Sequence, residues 1–202
     1  AKIPSYTIDK KSLENAATTI VQSKKTIIWA GGGIHLSNAS KELLALAEYL
    51  QIPILTTPEG KGSISDLHYL SIGTPQTRST GNSKDPLRDF FYTRDLILAV
   101  GTRFAYADPK PSQQVIQIDI DPQEIGRNHK NTMGILGDAQ QALSKLLKIV
   151  KTKIKRKQNQ KIIFNKIRSN RYDNPANQIK PLASYVKALR LGIPDNGILV
   201  TD

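Results

Sequence analysis

The sequence predicts an α/β fold: a doubly wound, mostly parallel six-stranded sheet with helices on both faces. Three observations carry this. Thr26-Ile27-Ile28-Trp29-Ala30 is an apolar run of strand length, closed by Gly31-Gly32-Gly33 and followed by apolar residues at helical spacing, Leu43, Leu44, Ala47 and Leu50. Asp95 to Gly101 and Val115 to Asp121 hold two more runs that are continuous rather than alternating, as in strands covered on both faces. Apolar runs and helical patterns alternate along the chain, the rhythm of an open α/β sheet.

Residues 1 to 11 are polar, contain Pro4 and read as a connecting arm. Leu13, Ala16, Ala17, Ile20 and Val21 recur at helical spacing, so a helix is expected over Lys11 to Ser23. The central strand, the glycine turn and a second helix follow. Ile52 to Thr57 is the next strand, and Pro53 fits only its beginning because a central strand cannot spare the N–H donor. Thr57 to Ser63 is a loop at the rim of the sheet, with Lys61 between Gly60 and Gly62. Asp66 to Gly73 carries a short apolar element, Thr74 to Pro86 a polar irregular loop, and Leu87 to Tyr92 one or two helical turns. The strands at Asp95 and Val115 come next, then a short last strand at Met133 to Leu136. Asp121-Pro122 reads as a helix start, with the carboxylate at the N-cap and proline at the first helical position. Asp138 caps a further helix whose stripe is Leu143, Leu147, Val150 and Ile154. Leu182, Tyr185, Val186 and Leu189 form another helix, and Gly197 to Asp202 reads as a strand with no successor. A lone helix and strand cannot bury their apolar faces, so a fragment of a longer protein is expected.

Composition narrows the classes. The 202 residues suffice for one good core. There is no cysteine, which removes disulfides and thiolate chemistry. No apolar stretch approaches the ~18 residues of a membrane span, and the first residues lack a secretory apolar segment, so a cytoplasmic location is expected. The net charge is +12, and the segment from Lys148 to Arg171 supplies ten Lys or Arg residues with no Asp or Glu. That segment reads as a solvated basic surface; a polyanion-binding module is the alternative, although Phe164 is its single aromatic.

Three places carry candidate chemistry. The glycine turn Gly31-Gly32-Gly33 would bring bare backbone N–H groups to the carboxyl end of the sheet, where they can meet phosphate; a tight turn with no ligand is the alternative. Its spacing matches neither the dinucleotide fingerprint nor a P-loop. Asp119 and Asp121 lie two apart at a strand end and face the same way, so together they could hold a cation or accept hydroxyl groups. The three histidines, His35, His68 and His129, fall in no evident acid–base set.

Taken in order, Ile28 to Gly33, Ile52 to Gly62, Asp95 to Phe104, Ile118 to Asn128 and Gly137-Asp138 resemble the central domain of thiamine-diphosphate-dependent enzymes. The closest type is the acetolactate synthase large subunit, and the resemblance covers about Leu13 to Leu147. It implies a four-part division. Residues 1–12 would be a linker from a missing pyrimidine-binding domain and 13–158 the Rossmann-like central domain. Residues 159–178 would be a basic connector, and 179–202 the start of a truncated diphosphate-binding domain. The parent would be a thiamine-diphosphate-dependent 2-oxo acid decarboxylase or carboligase, a lyase or transferase of branched-chain amino acid biosynthesis. Thiamine diphosphate and Mg2+ would bind only in that parent, so this chain is expected to be inactive alone, with no catalytic or metal-binding residue assigned to it.

What the central domain of such enzymes binds is FAD, ADP or nothing. Carried over, Gly31, Gly32 and Gly33 would approach a dinucleotide. Asp119 and Ile120 would lie beside its adenosine half, Asp138 on the adenine side, and Thr102 and Arg103 near the flavin. The chain has Gly73-Thr74-Pro75-Gln76-Thr77-Arg78 where acetolactate synthases carry a Gly-Met-His-Gly piece, and Ala105-Tyr106 where they carry two aspartates. The expected partners are the flanking domains and further copies in a homo-oligomer, with no membrane and no nucleic acid. An independent NAD- or nucleotide-binding enzyme on a related sheet is the other alternative.

Overall fold

The computed structural model describes residues 6–75, 86–105, 108–172, 182–194, 197, 198 and 200. Its six strands are β1 (Thr26–Ala30), β2 (Ile54–Thr56), β3 (Ser71–Gly73), β4 (Leu96–Val100), β5 (Gln114–Asp119) and β6 (Thr132–Leu136). They form one sheet in the order β3-β2-β1-β4-β5-β6. Every adjacent pair is parallel, as the sequence led us to expect of most of them. The helices are α1 (Lys10–Gln22), α2 (Gly33–Leu36), α3 (Ser40–Leu50), α4 (Pro86–Tyr92), α5 (Ala139–Lys153), α6 (Lys161–Tyr172) and α7 (Leu182–Gly192).

The strands bury both faces because every second residue points the same way. Ile28, Ala30, Leu98, Val100, Ile116 and Ile118 pack on one side against α1, α3 and α5, through Ile20, Leu43, Leu46 and Leu143. Ile27, Trp29, Leu55, Ile97, Ala99 and Val115 pack on the other against Leu87 and Phe91 of α4. There the rings of Trp29 and Phe91 lie 5.2 Å apart and tilted, a favoured aromatic arrangement.

The caps follow the sequence where it carries acid before a helix. Asp9 is extended and accepts the Ser12 N–H at 2.7 Å; Asp138 accepts that of Gln141 at 3.0 Å. Ile8, from the segment read as an arm, is buried in the core.

Four features differ from the sequence reading. The helix expected after the glycine turn is two, because Asn38 takes a left-handed φ of 53° between α2 and α3. No helix follows Asp121-Pro122: Asp121 Oδ1 accepts the Gln123 N–H at 2.9 Å and closes a turn instead. Phe164, placed in a connector, is buried in the main core at the start of α6. Residues 197, 198 and 200, read as strand, are not in one; the rest of that strand, like residues 76–85 of the polar loop, lies outside the described residues. The chain between α5 and α6 is fastened to the end of α3. Tyr49 donates its hydroxyl to Ile154 O at 2.8 Å and accepts the Lys157 N–H at its own carbonyl, and the Gln160 N–H reaches Gln51 Oε1 at 3.1 Å. No helix among the described residues is long and apolar enough to cross a membrane.

Candidate functional site

The strand order reverses direction of growth at β1 and β4, so the connections leaving their carboxyl ends diverge and open a crevice. A cavity of about 620 Å³ lies there. Gly32 and Gly33 after β1, Thr57 and Glu59 after β2, and Thr102 and Arg103 after β4 form one part of its wall. Asp119, Ile120, Asp121 and Glu124 at the end of β5 form another.

Of the residues singled out in the sequence, Gly32, Gly33, Thr102, Arg103, Asp119 and Ile120 line this one cavity. Gly31 and Asp138 do not. The Gly31 N–H is already used, donating to Val100 O at 2.9 Å, and a Cβ there would meet Gly101 O at 2.2 Å. Gly31 is therefore a packing glycine beneath the rim. Asp138 caps α5. Gly33 is also held by its neighbour, its N–H donating to Gly101 O at 3.1 Å. Gly32 is the least hemmed in of the three: a Cβ there would meet only Glu59, its Cβ at 3.2 Å and its carbonyl O at 3.5 Å, a tight contact but no backbone overlap.

The β5 wall is acidic. Burial, more than any other cause, raises the Asp119 carboxyl above its ordinary range, and the charges of Asp121 and Glu124 push the same way against the N–H bonds it accepts from Asp121 and Ile120. Glu124 Oε1 accepts from Arg127 Nη1 at 2.8 Å, while Glu124 Oε2 is buried with no hydrogen-bond partner. A buried carboxylate oxygen without a donor is costly unless a ligand supplies one. Arg103, exposed on the neighbouring loop after β4, is the Lys or Arg of the lining.

The sequence reading missed Glu124, Thr57 and Glu59; it offered Asp121 both as a partner of Asp119 and as a helix cap, and the structure places it in the lining with no helix behind it. Nothing in the pattern marks Thr57 or Glu59. Glu124 had one available signal, its distance of three residues from Asp121, which a turn converts into shared orientation. His35 lines the cavity, but its Nε2 bonds to Lys61 O at 3.1 Å; His68 pairs with Glu48 at 3.2 Å and His129 with Gln113 O at 2.9 Å. No cluster of three or more His, Cys, Asp or Glu suited to a metal ion occurs among the described residues. The wall chemistry is that of recognition: carboxylates for hydroxyl or amino donors, a guanidinium for an anion, and bare backbone between them.

The family model described as thiamine pyrophosphate enzyme, central domain, matches residues 13–146. A protein of Methanocaldococcus jannaschii named "Probable acetolactate synthase large subunit" is 38% identical over 141 residues, 67% of this chain and 23% of that protein. The acetolactate synthase large subunit of Corynebacterium glutamicum is 33% identical over 157 residues, 73% of this chain and 24% of that one. Among solved structures, benzoylformate decarboxylase of Polynucleobacter necessarius aligns with a TM-score of 0.63 at 22% identity, over 78% of this chain and 30% of its own, a likeness of fold. The chain thus spans about a quarter of the length of the curated relatives it matches.

Proposed function

The chain belongs to the thiamine pyrophosphate enzyme central-domain family, and from that premise we propose that its cleft binds an adenine nucleotide, FAD or ADP. The parent protein, in this reading, is a cytoplasmic, homo-oligomeric, thiamine-diphosphate-dependent 2-oxo acid decarboxylase or carboligase akin to acetolactate synthase. Thiamine diphosphate and Mg2+ are held there by flanking domains, and this domain makes no bond itself.

The observation that carries the reading is the convergence, at the switch point of the sheet, of Gly32, Arg103 and Asp119 on one cavity. The residues fit the group. Asp119 and the orphaned oxygen of Glu124 would accept donors from ribose or adenine. Arg103 would pair with phosphate, and Gly32 would let the pyrophosphate approach the backbone. FAD in such a site supplies the parent with a structural cofactor; what the chain contributes is grip and orientation.

Calorimetric titration of the purified chain with FAD and with ADP tests this. Saturable binding, lost when Gly32 is replaced by a bulky residue, supports the reading. Preference for FAD favours an acetolactate-synthase-like site and equal affinity for ADP an adenosine half-site. A folded chain that binds neither overturns it.

A further inference from the structure

The two walls of the cleft are joined underneath by one side chain. Gln117 sits in the middle of β5, in a run otherwise made of valine and isoleucine, and is 2% exposed. Its carboxamide makes three hydrogen bonds. Nε2 donates to Thr102 O at 3.2 Å and to Glu124 O at 3.0 Å, and Oε1 accepts the Gly126 N–H at 3.0 Å. The orientation is dictated by the partners: two carbonyls need donors and one N–H needs an acceptor, so the flipped amide would meet three like groups. The contacts join the loop after β4, which carries Arg103, to the turn after β5, which carries Glu124. Asn128 repeats the link at the surface, its Nδ2 donating to Arg103 O.

A polar side chain in a fully covered strand is expensive unless its bonds are made. Here every bond goes to the backbone of a cleft-lining segment. Gln117 itself is absent from the cavity wall. We infer that Gln117 is a positioning residue: it fixes the spacing between the Arg103 wall and the Asp119–Glu124 wall, and so sets the affinity for ligands that must touch both. The ligand side of this inference rests on the proposed nucleotide site; the coupling of the loops does not.

The test uses the 202-residue chain and two variants, Gln117→Leu and Gln117→Asn. The first removes all three bonds at near-constant volume. The second keeps the amide but draws it back by one methylene, and serves if the first fails to fold. Amide hydrogen exchange is measured without ligand, and ADP and adenosine affinities are measured in parallel. In the variant, Gly126 and the segments 101–105 and 121–128 exchange faster together while the amides of β1 and β4 keep their protection. ADP, spanning both walls, weakens by about tenfold, the scale of one or two lost buried hydrogen bonds, while adenosine, held by the acidic wall, changes less than about twofold. Unchanged protection in both loops overturns the inference. So does an equal loss for ADP and adenosine, which is the signature of general loosening. A wild-type chain that binds neither compound refutes the nucleotide site, and the exchange arm still decides whether Gln117 couples the loops.

Discussion

Gly33 and Gly101 meet backbone to backbone: a Cβ on Gly33 would lie 2.6 Å from Gly101 Cα. The contact is where the turn after β1 crosses the turn after β4, and it sets how closely the two sides of the cleft begin. Gly101 also holds a left-handed φ of 57°. Gly101→Ala is expected to cost about 2–4 kcal/mol, from the strained backbone and the forced separation together. Gly32→Ala, with an ordinary helical φ of −60° and a Cβ that would press only on the Glu59 Cβ at 3.2 Å, should cost about 1 kcal/mol. Urea denaturation of both variants checks the contrast, and equal losses would contradict the packing argument.

Asp119 gives a pH-dependent prediction. Its carboxyl titrates above the ordinary range because the fold buries it beside other carboxylates. Its cost to folding therefore grows as the pH rises from the unfolded value of about 4 to the raised native one, is complete above that, and is absent well below about 4, where both states are protonated. Asp119→Asn keeps an acceptor for the Asp121 N–H and removes the charge. The variant should gain in Tm relative to wild type at pH 7 and show no gain at about pH 3, with nucleotide binding weakened at neutral pH. A Tm difference that is the same at both pH values would refute the electrostatic account.

Asp95 behaves in the opposite sense. Burial alone would raise it, yet the Ser23 hydroxyl at 2.6 Å and the Lys24 and Lys25 N–H groups at 3.0 Å hold it below its ordinary range. That stabilisation is present above the unfolded pKa and is lost as pH falls through the lowered native one. The side chain is exposed, so the screened contribution is about 1 kcal/mol. Asp95→Asn should lose that amount at pH 7 and match wild type near pH 2, read from denaturation curves at both values.

Phe164 tests whether α6 is part of the core. It is 4% exposed, while its neighbours Ile162 and Ile163 are 87% and 57% exposed. Phe164→Ala should destabilise by about 3 kcal/mol, and limited trypsin digestion should cut after Lys161 and Lys166 earlier than in wild type. Ile162→Ala should change neither readout. Identical behaviour of the two variants would make α6 an appendage.

Much of the sheet is legible because its signal is local. β4 is an unbroken apolar run, β1 is apolar after Thr26, and β5 is apolar from Val115 to Ile118 except at Gln117; their continuity reports cover on both faces. The cleft is legible in part for the same reason, since Gly32 and Arg103 follow strands and Asp119 ends one. What escapes is set at a distance or by shared local codes. Asp121-Pro122 signals a helix cap and a turn in the same letters, and the outcome depends on Gly126 bonding to Gln117 rather than continuing a helix. Glu124 enters the site only through that turn. Gln117 was visible as the one polar residue inside the run Val115 to Ile118, and a buried amide in such a run demands partners that only the folded loops supply.

The strand order has a consequence for synthesis. β1 is made before the other five strands of this sheet and lies within it, with β2 along one of its edges and β4 along the other. Once β2 and β3 have emerged from the ribosome, the second edge of β1 still waits: Thr26 has no partner until Leu96 arrives. For that interval the nascent chain offers an open edge of isoleucine and tryptophan, the template that pairs with other chains. Chaperone demand and aggregation of this domain should therefore peak in chains stalled between β3 and β4, and decline once β4 closes that edge.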